Sequence, residues 1–126
     1  MVTIDGYRSE DDELEAVFEW AAVMERAYPC LRLMYHTPNE GKRSVAAGAR
    51  LKRKGLRPGV PDICLPCPRG GYHGLYIELK VGKGRPTADQ REYLRLLEGE
   101  GYFVALCYSA ASAIRTIDAY MREAHT

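Results

Sequence analysis

The chain has 126 residues, of which 46% are hydrophobic and 28% charged, and a formal net charge of +1. That length provides one domain with a real core, and the composition is that of a folded globular protein. No apolar run reaches the roughly 20 residues needed to cross a bilayer. The acidic start MVTIDGYRSEDDELE also lacks the basic-then-apolar order of a secretory leader, so a cytoplasmic protein is expected.

Ser9 followed by Asp12 forms a capping box that opens a helix. Leu14, Val17, Phe18, Ala21, Met24 and Tyr28 then recur at helical spacing, and Tyr28-Pro29 ends the pattern. LRLMYH (31–36) alternates as a strand would, TPNEGK is a loop, and residues 44–54 read as a short helix stopped by Gly55. DICLP and YHGLYIELKV are two strand-like runs with PRGG between them, which predicts a hairpin. Thr87 and Gln90 form a second capping box. It opens a helix through Tyr93, Leu94, Leu96 and Leu97 that is closed by Gly99 and Gly101. YFVALCY reads as a buried strand, and residues 109–124 as a last helix carrying Ala113, Ile114, Ile117, Tyr120 and Met121. The order α, β, α, β-hairpin, α, β, α predicts an α/β fold with a mixed sheet flanked by helices.

Charge is unevenly spread. Residues 1–40 hold nine acids and three Lys/Arg, whereas residues 41–61 hold seven Lys/Arg and no acid. The basic segment contains Lys42, Arg43, Arg50, Lys52, Arg53 and Lys54. It suits a phosphate backbone, and it equally suits a solvated helix face. Cys64 and Cys67 make a lone CxxC. No second such pair or HxxxH exists to complete a zinc site, and Pro66 and Pro68 oppose a thioredoxin-type helix. Buried thiols at a strand end are the expectation.

Charged residues are disfavoured in strands, yet Asp62, Glu78 and Lys80 fall in them. Side chains alternate across a strand. Ile77 and Leu79 therefore face the core, while Tyr76, Glu78 and Lys80 face the other way. In the partner strand Ile63 and Leu65 face the core and leave Asp62 on the far side. A hairpin thus gathers two carboxylates and an ammonium on one face. With the Leu79 carbonyl, the carboxylates supply half of an octahedral shell for a hard divalent cation. Such a cation lowers the pKa of a bound water and polarises a phosphate, and an ammonium beside it stabilises developing charge. The alternative is an ordinary exposed Glu78/Lys80 pair on a sheet face.

The spacing Pro61-Asp62, fifteen residues, Glu78-Leu79-Lys80 resembles the PD-(D/E)XK nuclease signature. PNEGKR (38–43), the basic helix, GVPD (59–62), GLYIELK (74–80), T-x-x-Q-x-x-Y (87–93) and GY (101–102) follow in an order similar to that of the VRR-NUC family. The likeness spans about residues 9–121 and is to the small stand-alone members of phages and bacteria. The resemblance implies a restriction-endonuclease-like fold with Asp62 and Glu78 as Mg²⁺ or Mn²⁺ ligands and Lys80 as the catalytic lysine. It also implies a metal-proximal glutamate on the first helix. At about 100° per residue, Glu10 falls on the stripe of Leu14, Val17 and Ala21; it is the preferred candidate, with Glu13 second. Gln90 matches a helix glutamine placed near the site in the family, or it simply caps its helix. Lys42 and Arg43 look like phosphate contacts. Tyr93 reads as packing, and His73 as a hairpin-turn residue.

The activity so implied is metal-dependent DNA endonuclease cleavage of branched DNA such as a four-way junction. It would be carried out by a homodimer, either cellular or phage-encoded and acting in the host cytoplasm. A non-catalytic nucleic-acid-binding module and a sequence-preferring or nicking nuclease are the competing readings.

Overall fold

The computed structural model describes residues 9–38 and 44–125. Helix α1 (Glu10–Met24) is opened by the expected Ser9/Asp12 capping box. It ends four residues before Tyr28, where the amides of Ala27 and Tyr28 both donate to the Met24 carbonyl. Pro29 follows, and the residue before a proline is pushed out of helical geometry; Tyr28 sits at φ −128°, ψ 83°. The strand expected over 31–36 is largely a 3-10 turn, Pro29–Leu33, and only Tyr35–His36 forms strand β1. Leu31 and Met34 are buried three residues apart, the period of a 3-10 helix. The apparent alternation was that period seen over a short window.

Helix α2 (Val45–Arg53) is capped by Ser44 and buries none of its residues. Strands β2 (Ile63–Leu65) and β3 (Leu75–Leu79) pair antiparallel, with Ile63 opposite Ile77 and Leu65 opposite Leu75. Between them Arg69 and Tyr72 exchange backbone hydrogen bonds across Gly70 and Gly71. Both glycines have positive φ, as a two-residue hairpin turn of this hand requires. Helix α3 (Ala88–Gly99) carries the Thr87/Gln90 box, and strand β4 (Phe103–Cys107) leads to α4 (Ala110–Met121). The sheet order is β1-β2-β3-β4, antiparallel except for the parallel β3/β4 pair. The fold is therefore α/β, with a mixed four-stranded sheet and four α-helices among the described residues.

One sheet face supplies Ile63, Leu65, Leu75, Ile77 and Leu79 to the core, packed with Val17 and Ala21 of α1 and Ala113 and Ile117 of α4. The Tyr120 hydroxyl donates to the Cys67 carbonyl at 2.6 Å, tying α4 to the end of β2. Two sequence expectations change here. Strand β4 is an edge strand, and its Leu106 is 40% exposed, so YFVALCY is buried on one face only. Cys67 is disulfide-bonded to Cys30, with Cα atoms 6.4 Å apart, while Cys64 and Cys107 are the buried free thiols. The CxxC spacing drew attention to a partner three residues away, whereas the actual partner lies 37 residues earlier.

Gly59 brings the chain to Asp62. Its φ is +82°, and a Cβ there would overlap the Asp89 carbonyl. Backbone strain and overlap with the rigid start of α3 combine in Gly59→Ala. That variant is expected to lose about 2–4 kcal/mol of stability, measurable as a lower urea midpoint with an unchanged slope.

Candidate active site

Asp62 sits at the entrance to β2, where its backbone is held by the edge strand. Its carbonyl accepts from the Thr37 amide at 2.9 Å and lies 2.9 Å from the His36 Nδ1. Its side chain reaches across to β3, where Oδ2 accepts from the Leu79 amide at 2.7 Å. A charge-assisted bond to a buried amide fixes the carboxylate in one orientation. His36 was not singled out by the sequence; its place at the end of LRLMYH reads as a strand end and nothing more.

Glu78 points to the same face. It is 1% exposed, Oε2 lies 3.5 Å from the Lys80 Nζ, and Oε1 has no hydrogen-bond partner among the described residues. Burial, followed by the neighbouring Asp62 charge, pushes its pKa from 4.5 up to about 8, against the lowering effect of Lys80. Lys80 is anchored by its own amide, which donates to the Cys107 carbonyl at 2.9 Å. The hairpin thus brings Asp62, Glu78 and Lys80 to one place.

A buried pair of carboxylates with an unpartnered oxygen is costly unless a cation or a proton joins it. The donors are all oxygen, which suits Mg²⁺ or Mn²⁺ and does not suit a thiolate-seeking metal. The chain therefore fits the divalent cation expected from its sequence, with Asp62 and Glu78 as the residues that would hold it. Among the described residues no third His, Cys, Asp or Glu joins these two in a metal-sized cluster.

The pKa of Glu78 has a consequence for stability. A carboxyl whose pKa is higher in the folded chain binds its proton more tightly there than when unfolded. Its contribution is complete below pH 4.5 and is lost as the pH rises towards 8. Metal-free protein should therefore lose melting temperature across that window, and Mg²⁺ or Mn²⁺ should restore it most strongly at the alkaline end. Thermal melts with and without the cation, repeated on Glu78→Gln, test this; the variant should lose both the slope and the rescue.

The first-helix glutamates are sorted by burial. Glu10, the preferred candidate, occupies the first helical position and is exposed. Glu13 is 9% exposed, and its Oε1 accepts from the Ala110 amide at the start of α4, at 3.0 Å. The buried line of α1 is Glu13, Val17 and Ala21. Glu10 shares the angle of that stripe but lies at the helix end, where angle alone does not ensure cover. The spacing of Glu13 to Val17 and Ala21, i, i+4 and i+8, was the available signal for the inward residue.

Gln90 is buried, and its Oε1 accepts from the Thr87 amide at 2.8 Å, completing the cap. Its amide also lies against Gly59, so the capped end of α3 is packed on the segment that delivers Asp62. Arg50, Lys52 and Arg53 lie in the last turn of α2, and Lys54 is its C-cap. All four are exposed, and their charge complements the helix dipole. Lys42 and Arg43 lie outside the described residues. His73 packs edge-on against Tyr102 at 5.7 Å, as a hairpin residue would.

A model of the VRR-NUC domain family matches residues 8–111. Among solved structures, a VRR_NUC domain protein is 28% identical, with a TM-score of 0.81 over 97% of this chain and 94% of that one. No curated protein matches the sequence.

Proposed function

The chain belongs to the VRR-NUC family, a nuclease-type DNA-processing module, and from that premise we propose that it is a divalent-metal-dependent DNA endonuclease selective for branched substrates. The observation that carries the reading is the buried Asp62/Glu78 pair beside Lys80. When bound, the cation supplies Lewis-acid stabilisation of phosphate charge and a more acidic water. The chain's own residues do the rest. Asp62, fixed by the Leu79 amide, and Glu78, held between Asp62 and Lys80, set where the cation and the scissile phosphate sit. The Lys80 ammonium lies beside the position where charge accumulates as the phosphodiester is attacked, and it orients the attacking water.

Resolving a four-way junction needs two cuts on two strands, and one chain holds one such site among its described residues, so two chains are required. Tyr72, which is 40% exposed, is among the apolar residues available for burial between copies. The test compares four-way junction, linear duplex and single-stranded DNA in Mg²⁺ and in chelator, with sedimentation giving a mass near twice 14.2 kDa. Cleavage of every substrate in chelator would contradict the metal dependence. A monomer that cuts all of them equally would remove the junction reading and leave the nuclease reading in place.

The basic helix α2 is the proposed phosphate-contacting element. Neutralising Lys52, Arg53 and Lys54 should weaken binding to every duplex and reduce the salt slope by about 2.7 if all three touch phosphates. An unchanged slope would place the DNA elsewhere.

A further inference from the structure

Beyond the metal-facing carboxylates, the same sheet face continues one strand further. Parallel register sets Glu78 beside Leu106, so Leu106 lies on the face of Glu78, and Tyr108, just past the end of β4, lines the same groove. Both are exposed, at 40% and 43%. They floor a groove of about 820 Å³ walled by the Gly82–Pro86 turn and by Arg91 of α3. Lys83, Arg85 and Arg91 line it, and no carboxylate does so among the described residues. Arg91 is held in place by an Nη1 bond to the Pro86 carbonyl at 2.7 Å. The groove adjoins the site directly, since a Cβ on Gly84 would rest 3.7 Å from Cβ and Cδ of Lys80.

We infer that this groove binds a single-stranded stretch of nucleic acid adjoining the scissile phosphate, with phosphates on Lys83 and Arg85 and an unpaired base on Tyr108. Three cations around an apolar, aromatic floor match a ligand that presents negative charge and a flat π-face together. An unpaired nucleotide offers both. A closed duplex offers phosphates while its bases stay stacked, and would leave Leu106 and Tyr108 uncovered. The inference deepens the nuclease reading and rests on it only for the identity of the neighbouring phosphate. On this basis a branched substrate that frees unpaired nucleotides beside the cut is preferred to a closed linear duplex.

The experiment measures fluorescence anisotropy of a dye-labelled 12-mer oligothymidylate, and of a duplex of equal length, in chelator so that nothing is cut. Tyr108→Ala should weaken single-strand binding about tenfold, Tyr108→Phe should retain it, and duplex binding should barely move. Lys83→Ala with Arg85→Ala should flatten the single-strand salt slope by about 1.4, the value for two phosphates. Melting curves of each variant establish that it is folded. Single-strand affinity unchanged in Tyr108→Ala, or lost equally for duplex and single strand, would overturn the inference. Mg²⁺-dependent cleavage by the same variants separates the two readings. Intact cleavage with unaltered single-strand binding removes the groove alone, whereas groove-dependent binding in a chain that cuts no DNA removes the nuclease reading and supports the groove.

Discussion

Glu78→Ala and Asp62→Ala are each expected to abolish DNA cleavage, by at least about 10³-fold, and to weaken Mn²⁺ binding, while Lys80→Ala abolishes cleavage and keeps the metal. The distinction follows from chemistry, since a carboxylate donates electron pairs to a cation and an ammonium cannot. Lys80→Ala does carry two opposed effects on metal affinity. It removes a positive charge 3.5 Å from Glu78, which favours the cation. It also removes the influence that lowers the pKa of Glu78, so the proton competes harder. Calorimetric titration with Mn²⁺ should therefore be run on parent and variant at rising pH, because without Lys80 the Glu78 carboxyl holds its proton beyond the parent's value of about 8 and the first effect dominates only once that proton is gone. Metal binding lost in folded Lys80→Ala under those conditions would contradict the assignment. Asp62→Asn offers a further control, because its amide oxygen can still accept from Leu79 while the charge is gone. Such a variant should melt close to the parent and fail to cut.

The hairpin and its polar face were legible because they rest on period-two alternation, which fixes the face of every residue once one is known. Ile63, Leu65, Ile77 and Leu79 behave as that rule requires, and Asp62 and Glu78 follow on the opposite side. The capping boxes at Ser9 and Thr87 were legible for a similar reason, since the reciprocal bonds span three residues and need no tertiary context. Long-range facts were not. The choice between Glu10 and Glu13 depends on α4 lying over the second position, and its contact joins residues 97 apart. The partial exposure of β4 depends on its place at the edge of the sheet among the described residues. The basic residues of α2 were legible as a charge cluster, but their exposure follows from a helix that buries no side chain in the core.

The disulfide is the farthest-reaching of these long-range facts and has the largest expected effect on stability. Cys30 and Cys67 enclose 37 steps of chain, and that loop carries β1, the basic helix α2 and Asp62 itself. Closing a loop of this length restricts the unfolded chain and stabilises the fold by about 4 kcal/mol on the chain-entropy account. Reduction should accordingly lower the melting temperature by about 15 °C for a chain of this size. Cys30→Ala, which removes a half-buried sulfur rather than the fully buried one at Cys67, should melt near the reduced parent and should not respond to reductant. The active site should feel the change as well. Asp62 is held at β2 through the Thr37 and Leu79 amides, one of them inside the loop and the other outside it. Releasing the crosslink raises the population in which β1, α2 and the approach to Asp62 open, so cleavage at elevated temperature should fall before the protein melts globally. Identical melting curves with and without reductant, together with two titratable thiols at Cys30 and Cys67 in the native protein, would show that packing alone holds the segment.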